Sequence, residues 1–286
     1  MRSLIRLWAL LLLSLMLPTT LYAADAPRAR AVRVMERPVI DGILDDAVWE
    51  QAEVIDQFTQ VEPILGDEPS HRTEVRFLTD DRSLFIYMRA YDDEPEKIVA
   101  NLMGRGEFFF FDDSFTMVLD TFHDHRNGYF IQVNPNGGRR DGIFEGVSFE
   151  ESWDGIWYAK ARIDEEGWTA EIELPLQTFS FRPGDDAWGF NMSRRIRRYN
   201  EDIRWADPTR ERNLVNVSQA GTLEGLSGAQ QGLGLDVVPS GTLGFERNTI
   251  GDDKQNIDPE PSFDARYRLL PSLTASATVN TDFSQT

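Results

Sequence analysis

Trp153 and Trp157, in the run ESWDGIWYAK, are the side chains best suited to hold the ring of a ligand. A flat indole buries the C–H face of a sugar ring while polar neighbours take its hydroxyls. The chain has seven tryptophans, and most have another role. Trp8 lies in an apolar N-terminal run. Trp168 alternates with Ala170, Ile172 and Leu174, and Trp188 with Phe190 and Met192, so both read as core. Trp49 falls inside a capped turn and also reads as core, while Trp205 lies in a charged stretch that leaves it open. Trp153 precedes the Asp154-Gly155 turn and is expected at the surface. Trp157 opens the next strand, either as a stacking ring or as a lid on the core. Donors for hydroxyls are available in NPNGGRRDG, where Asn134, Asn136, Arg139 and Arg140 flank a glycine pair. That segment is either a plain hairpin turn or a set of ligand donors.

Other clusters bear on other chemistries. Arg194, Arg195, Arg197 and Arg198 form a basic island, which either pairs with nearby acids or meets an anionic sugar or lipid headgroup. Asp92-Asp93 and Asp112-Asp113 supply hard oxygens suited to calcium, without the spacing of an EF-hand loop. His71, His123 and His125 are the only histidines and lack a fourth partner for zinc. Gly146-Val147-Ser148-Phe149-Glu150 falls short of a nucleophile elbow. With 48 acidic residues, a carboxylate pair close in sequence does not identify a glycosidase. No catalytic residue is expected in this chain. A net charge of −19 argues against nucleic acid as a partner. The absence of cysteine excludes disulfides and thiol chemistry.

The elements that must position these residues read as strands. Arg72–Leu78 and Leu84–Tyr91 alternate around an Asp80-Asp81 turn and form a hairpin. Ser114–Leu119, Gly128–Val133, Ile156–Ile163, Thr169–Leu174 and Trp188–Arg195 follow the same pattern. Met88, Met117 and Met192 fall on their apolar faces and read as core, not as haem ligands. A short helical turn is expected after Asp45 or Asp46, and a helix over Glu94–Met103, entered at Pro95. Short strands with Asx- and Gly-rich turns predict an all-β chain built on an antiparallel β-sandwich.

Four blocks carry a family resemblance: VIDGILDDAVWEQA (39–52), LTDDRSLFIYMRAYDDEP (78–95), FDDSFTMVLDTF (111–122), and GWTAEIELPLQTFSF (167–181) followed by WGFNMSRRIRR (188–198). In order and spacing they resemble the family 9 carbohydrate-binding modules, over roughly residues 33–226. The resemblance implies a β-sandwich that binds a carbohydrate between aromatic rings, is associated with carbohydrate catabolism and glycoside hydrolases, and is not itself catalytic. It also implies structural calcium, for which Asp92, Asp93, Asp112 and Asp113 are the candidates. Relatives carry a tryptophan just before the Asp-Asp-Ser block. Here Phe108–Phe111 fill that position, so Phe109 or Phe110 would take the stacking role with less area. The alternative is an adhesion or assembly domain that docks on a barrel and binds no sugar.

Both ends of the chain suggest export. Arg2 and Arg6 precede an apolar run, Leu7–Leu17, that is too short to cross a bilayer, and Leu21-Tyr22-Ala23 resembles a cleavage site. Residues 1–23 therefore read as a signal peptide. Beyond a linker from residue 227, Leu233–Val238, Thr242–Arg247, Phe263–Leu270 and Leu273–Asn280 alternate apolar and polar residues at about the length of tilted membrane strands. They are similar to the start of the barrel domain that follows such modules in outer-membrane proteins. The expected location is the periplasm or cell surface, joined to the outer membrane by a truncated β-barrel at residues 227–286; the other reading of these strands is an extra soluble hairpin layer.

Overall fold

The computed structural model describes residues 26–146, 148–229, 235–248, 254–270 and 273–279, so the expected leader lies outside the described residues. Two sheets face each other across one core. The nine-stranded sheet runs in the order β1 (Arg28–Arg30), β14 (Gly221–Glu224), β12 (Ala187–Ile196), β6 (Ser114–Asp120), β7 (Asn127–Val133), β8 (Arg139–Glu145), β9 (Ser148–Glu150). Off β12 hangs β13 (Glu201–Arg204), which in turn pairs with β3 (Thr59–Glu62). The five-stranded sheet runs β10 (Tyr158–Asp164), β11 (Gly167–Pro175), β5 (Ser83–Tyr91), β4 (Thr73–Thr79), β2 (Val32–Arg33). Its pairings and those of the larger sheet are antiparallel except β1 with β14 and β2 with β4.

The inner faces follow the period-two alternation of the sequence. Val75, Phe77, Ile86, Met88, Trp168, Ala170 and Ile172 come from one sheet, and Phe115, Met117, Leu119, Ile131, Trp188, Phe190 and Met192 from the other. Phe77 meets Phe190 edge to face across the gap, with ring centroids 5.2 Å apart. The expected core tryptophans, Trp49, Trp168 and Trp188, are all buried, as are the three methionines. Trp205 is buried too and packs on Phe190.

The VIDG…W block has a specific purpose. Ala47–Gln51 forms a 3-10 turn that lays Trp49 on the outer face of the five-stranded sheet, against Leu78, Phe85 and Tyr87. Beneath it, the buried carboxylate of Glu171 accepts from the Asp41 and Gly42 amides at 3.0 and 2.9 Å and from Trp49 Nε1 at 3.0 Å. Asp46 occupies the N-cap position, but its carboxylate accepts from the Val39 amide and not from the turn itself.

Three expectations differ. The helix over Glu94–Met103 is absent, and only Pro95–Lys97 makes a 3-10 turn. The amides of Asn101 and Leu102 donate instead to Asp112, so a long-range carboxylate takes the bonds a helix would have used. NPNGGRRDG is a loop only as far as Gly138, and Arg139 and Arg140 open strand β8. A separate three-stranded sheet is formed by β15 (Leu235–Asn248), β16 (Lys254–Leu270) and β17 (Leu273–Val279). The two strands expected before residue 248 are one, in unbroken register with β16 through Pro239.

Candidate functional site

On β6, Phe115, Met117 and Leu119 point into the core, so Ser114, Thr116 and Val118 point outward. The same alternation puts Phe130 and Gln132 of β7, Arg140 and Phe144 of β8, and Ser193 and Arg195 of β12 on the outer face of the nine-stranded sheet. One end of this face is covered. Val217 and Ala220, with Leu214 and Val215, close over Val118, Phe130 and Phe144. The other end is open, and a groove of about 420 Å³ lies there, within the usual range for ligand sites of about 300–1,000 Å³. Its floor is Ser114, Thr116, Gln132 and Ser193, and one wall is Phe108 to Phe110. The opposite wall comes from β13 and the loop after it, with Asp202, Arg204, Arg210 and Arg212.

The aromatic wall is rigid by construction. Phe109–Phe111 form a 3-10 turn. Phe109 is buried and anchors it, while Phe108 and Phe110 stand exposed with rings stacked 5.9 Å apart and 6° from parallel. Asp112, just after the turn, is fully buried and accepts from the amides of Asn101 and Leu102 and from the side chains of Asn101 and Asn134. Asn134 also donates to the Leu102 carbonyl and accepts from the Gly138 amide. The guanidinium groups of Arg195 and Arg197 each lie 5.4 Å from the Phe110 ring. Asp113 accepts from the Arg197 amide, and its other oxygen is buried without a partner. Burial pushes its carboxyl up to about 6, despite the Arg194 and Arg198 charges nearby.

Several expected ligand residues take other positions. Trp157 is 1% exposed and belongs to the core, so the stacking role expected of it is replaced by a packing role. Trp153 is half-buried and packs on Tyr129 and Phe179 at the edge of the same core, away from the groove lining. Arg139 donates to the Trp157 carbonyl and lies over its ring. Asn134 is the bracket just described, and Asn136 donates to the Ala100 carbonyl. Of the expected set, Phe109, Phe110 and Arg140 line the groove. Ser114, Thr116, Gln132, Ser193 and Phe108 are groove residues not identified in advance. The signal for the first four was the polar half of strands whose apolar half was recognised, while Phe108 belongs to the Phe108–Phe111 run already noted.

The aspartates expected to bind calcium do not form a common ligand set. Asp92 is buried in a bidentate pair with Arg198, at 2.5 and 2.7 Å. Burial raises its carboxyl, but the Arg198 hydrogen bonds outweigh this and hold it below the usual range. Asp112 is saturated by donors, Asp113 faces arginines, and Asp93 is exposed. Among the described residues, no three histidine or acidic side chains converge as metal ligands. The basic island is held by the protein: Arg195 grips Asp202 through two bonds and Arg198 pairs with Asp92, while fully buried Arg194 donates to the Arg72 and Tyr91 carbonyls and Arg197 to Asn200.

No protein-family model matches the chain, and no curated protein matches it. Solved structures do. A family 9 carbohydrate-binding module from Caldicellulosiruptor kristjanssonii, in complex with cellotriose, is 20% identical with a TM-score of 0.51, covering 69% of this chain and 93% of that one. A structure of a family 9 module from the same organism in complex with glucose is 20% identical with a TM-score of 0.50, over 69% and 95%. A candidate carbohydrate-binding protein from Bacteroides uniformis is 12% identical with a TM-score of 0.56, over 70% and 99%. The all-β sandwich described above is therefore the fold of the family 9 carbohydrate-binding modules.

Proposed function

We propose that this chain binds a carbohydrate, without catalysis, in the groove on the outer face of its nine-stranded sheet. The observation that carries this reading is the pairing of an exposed aromatic wall, Phe108 and Phe110, with a hydroxyl- and amide-lined floor, Ser114, Thr116, Gln132 and Ser193. A sugar ring needs both: an apolar surface for its C–H face and donors and acceptors for its hydroxyls. Neighbours of the same fold were solved with cellotriose and with glucose, which supports the same class of ligand here. Phenylalanine offers less stacking area than tryptophan, so single-sugar affinity is expected to be modest.

On this reading the module presents glycan to hydrolytic partners in carbohydrate catabolism. It is exported by its leader and held at the outer membrane by a barrel that begins with β15 to β17. The antiparallel pairing of those strands, unbroken between β15 and β16, and the 14 and 17 residues of these two support the barrel; membrane strands need about 9–11 residues.

The test is titration of the full chain with gluco- and xylo-oligosaccharides, beside Phe110→Ala. The variant is expected to lose at least about tenfold in affinity, roughly 1.4 kcal/mol, with an unchanged melting temperature because Phe110 is already 44% exposed. A folded protein that binds no glycan of any class would favour the alternative, a docking domain that kept the fold and lost the ligand.

A further inference from the structure

We infer that the sugar held in this groove is acidic, and that Arg140 receives its carboxylate. This rests on the carbohydrate reading above and specifies the class of ligand. Arg140 projects from β8 into the groove and is only 7% exposed. Its guanidinium lies against three phenyl rings, Phe108 at 4.6 Å, Phe130 at 5.3 Å and Phe149 at 5.4 Å. Aromatic faces satisfy a guanidinium above and below its plane but accept nothing in the plane, where its five N–H groups point. The in-plane partner is Glu151, bonded to one terminal nitrogen and itself exposed. Among the described residues, the other terminal nitrogen and Nε have no hydrogen-bond partner. A guanidinium clamped by rings, with an open edge in a groove, is preorganised for a planar carboxylate.

The other groove cations are differently placed. Arg195 is bidentate to Asp202 and Arg212 to Asp207. Arg204 donates to the carbonyls of Asp207, Thr209 and Arg212, and Arg210 holds Glu62 and the carbonyls of Val61 and Pro63. Each is fixed by the protein. Together they concentrate positive charge: five arginines line the groove against the carboxylates Glu62 and Asp202. Glu151 and Asp207 offset part of this from just outside the lining. In a chain of net charge −19, the placement is selective. At physiological salt the screening length is about 8 Å, so acids elsewhere on the surface weigh little against arginines in the groove. The aromatic wall beside Arg140 distinguishes a sugar-borne carboxylate from a bare anion, because only the former has a ring to lay on Phe108 and Phe110.

The experiment titrates the full chain with oligomers of galacturonate, glucuronate and mannuronate, each beside its carboxyl-reduced or methyl-esterified counterpart, and with acetate. At least one uronate is expected to bind at least about tenfold more tightly than its neutral counterpart. That advantage should shrink as salt is raised, and acetate should not displace the oligomer. Arg140→Gln is expected to abolish the preference, bringing uronate affinity down to or below that of the neutral counterpart. Should Arg140→Gln fail to fold, Glu151→Gln decides the matter: removing the exposed competitor must raise uronate affinity. Equal binding of uronate and neutral forms, or full displacement by acetate, overturns the acidic-sugar assignment; equal binding leaves the carbohydrate reading intact. Failure of every oligomer, charged or neutral, removes both.

Discussion

Asp113 stands beside the aromatic wall, half coordinated and enclosed, with one oxygen on the Arg197 amide and the other unpartnered. Its carboxyl is raised from 3.8 to about 6 by burial. A carboxyl raised in the folded state favours folding in its protonated form. That contribution is complete below the unfolded value and is lost as pH rises through about 6. Measured by urea denaturation, the stability of Asp113→Asn relative to the native chain should therefore shift in favour of the variant between pH 4 and pH 8, by up to about 3 kcal/mol. The pair beside it behaves in the opposite way: Asp92 is held low and ionised by Arg198. Arg198→Ala would leave a buried carboxylate with the Glu94 amide but without its countercharge, and a loss of about 3–5 kcal/mol is expected at pH 7. The sequence did not distinguish these two aspartates. Both read as candidate calcium ligands, and only the tertiary contacts assign one to an arginine and the other to an enclosed site.

The strands were legible because their apolar halves alternate cleanly, as in Phe115, Met117 and Leu119 or Ile86 and Met88. What was misread depended on contacts distant in sequence. Strand β8 carries Arg140 and Gly142 outward and looks like a continued turn. Gly142 is required there, since a Cβ would strike the Phe149 ring. Trp157 looked available because the strand it precedes, β10, is polar and lies at a sheet edge. The segment from Asn101 to Phe111 holds no regular element beyond its 3-10 turn, and the Asn134–Asp112 bracket gives it shape. Asn134→Ala is accordingly expected to weaken glycan binding through a displaced wall, and to lower stability by about 1–3 kcal/mol by taking one donor from Asp112 and leaving the Gly138 amide and Leu102 carbonyl without their partner. A crystal structure or amide hydrogen exchange over residues 101–111 would show the loosened segment. Strand β11 meets the opposite demand at Gly167, whose φ of 138° and closeness to the Ala90 carbonyl admit no side chain.

At the scale of the molecule, the sandwich is held by its two facing sheets and by the clamp of Glu171 on the Trp49 turn. Trp49→Phe keeps most of the apolar contact and removes one bond to a buried carboxylate. A loss of about 1.5–3 kcal/mol is expected in thermal or urea melts. Because Asp92 and Asp112 are saturated by protein donors, EDTA is expected to leave both the melting temperature and glycan affinity unchanged. A marked fall on chelation would place a metal elsewhere in the chain.

The sandwich begins and ends on neighbouring strands. β1 runs parallel to β14, with Arg28 beside Thr222 and Arg30 beside Glu224, and the ladder extends through bonds from Ala31 N to Glu224 O and Thr222 N to Pro27 O. Because the two run the same way, the chain enters at one end of the ladder and leaves at the other. Tension applied between the two ends would slide β1 along β14 and load every rung at once, instead of peeling them apart one by one.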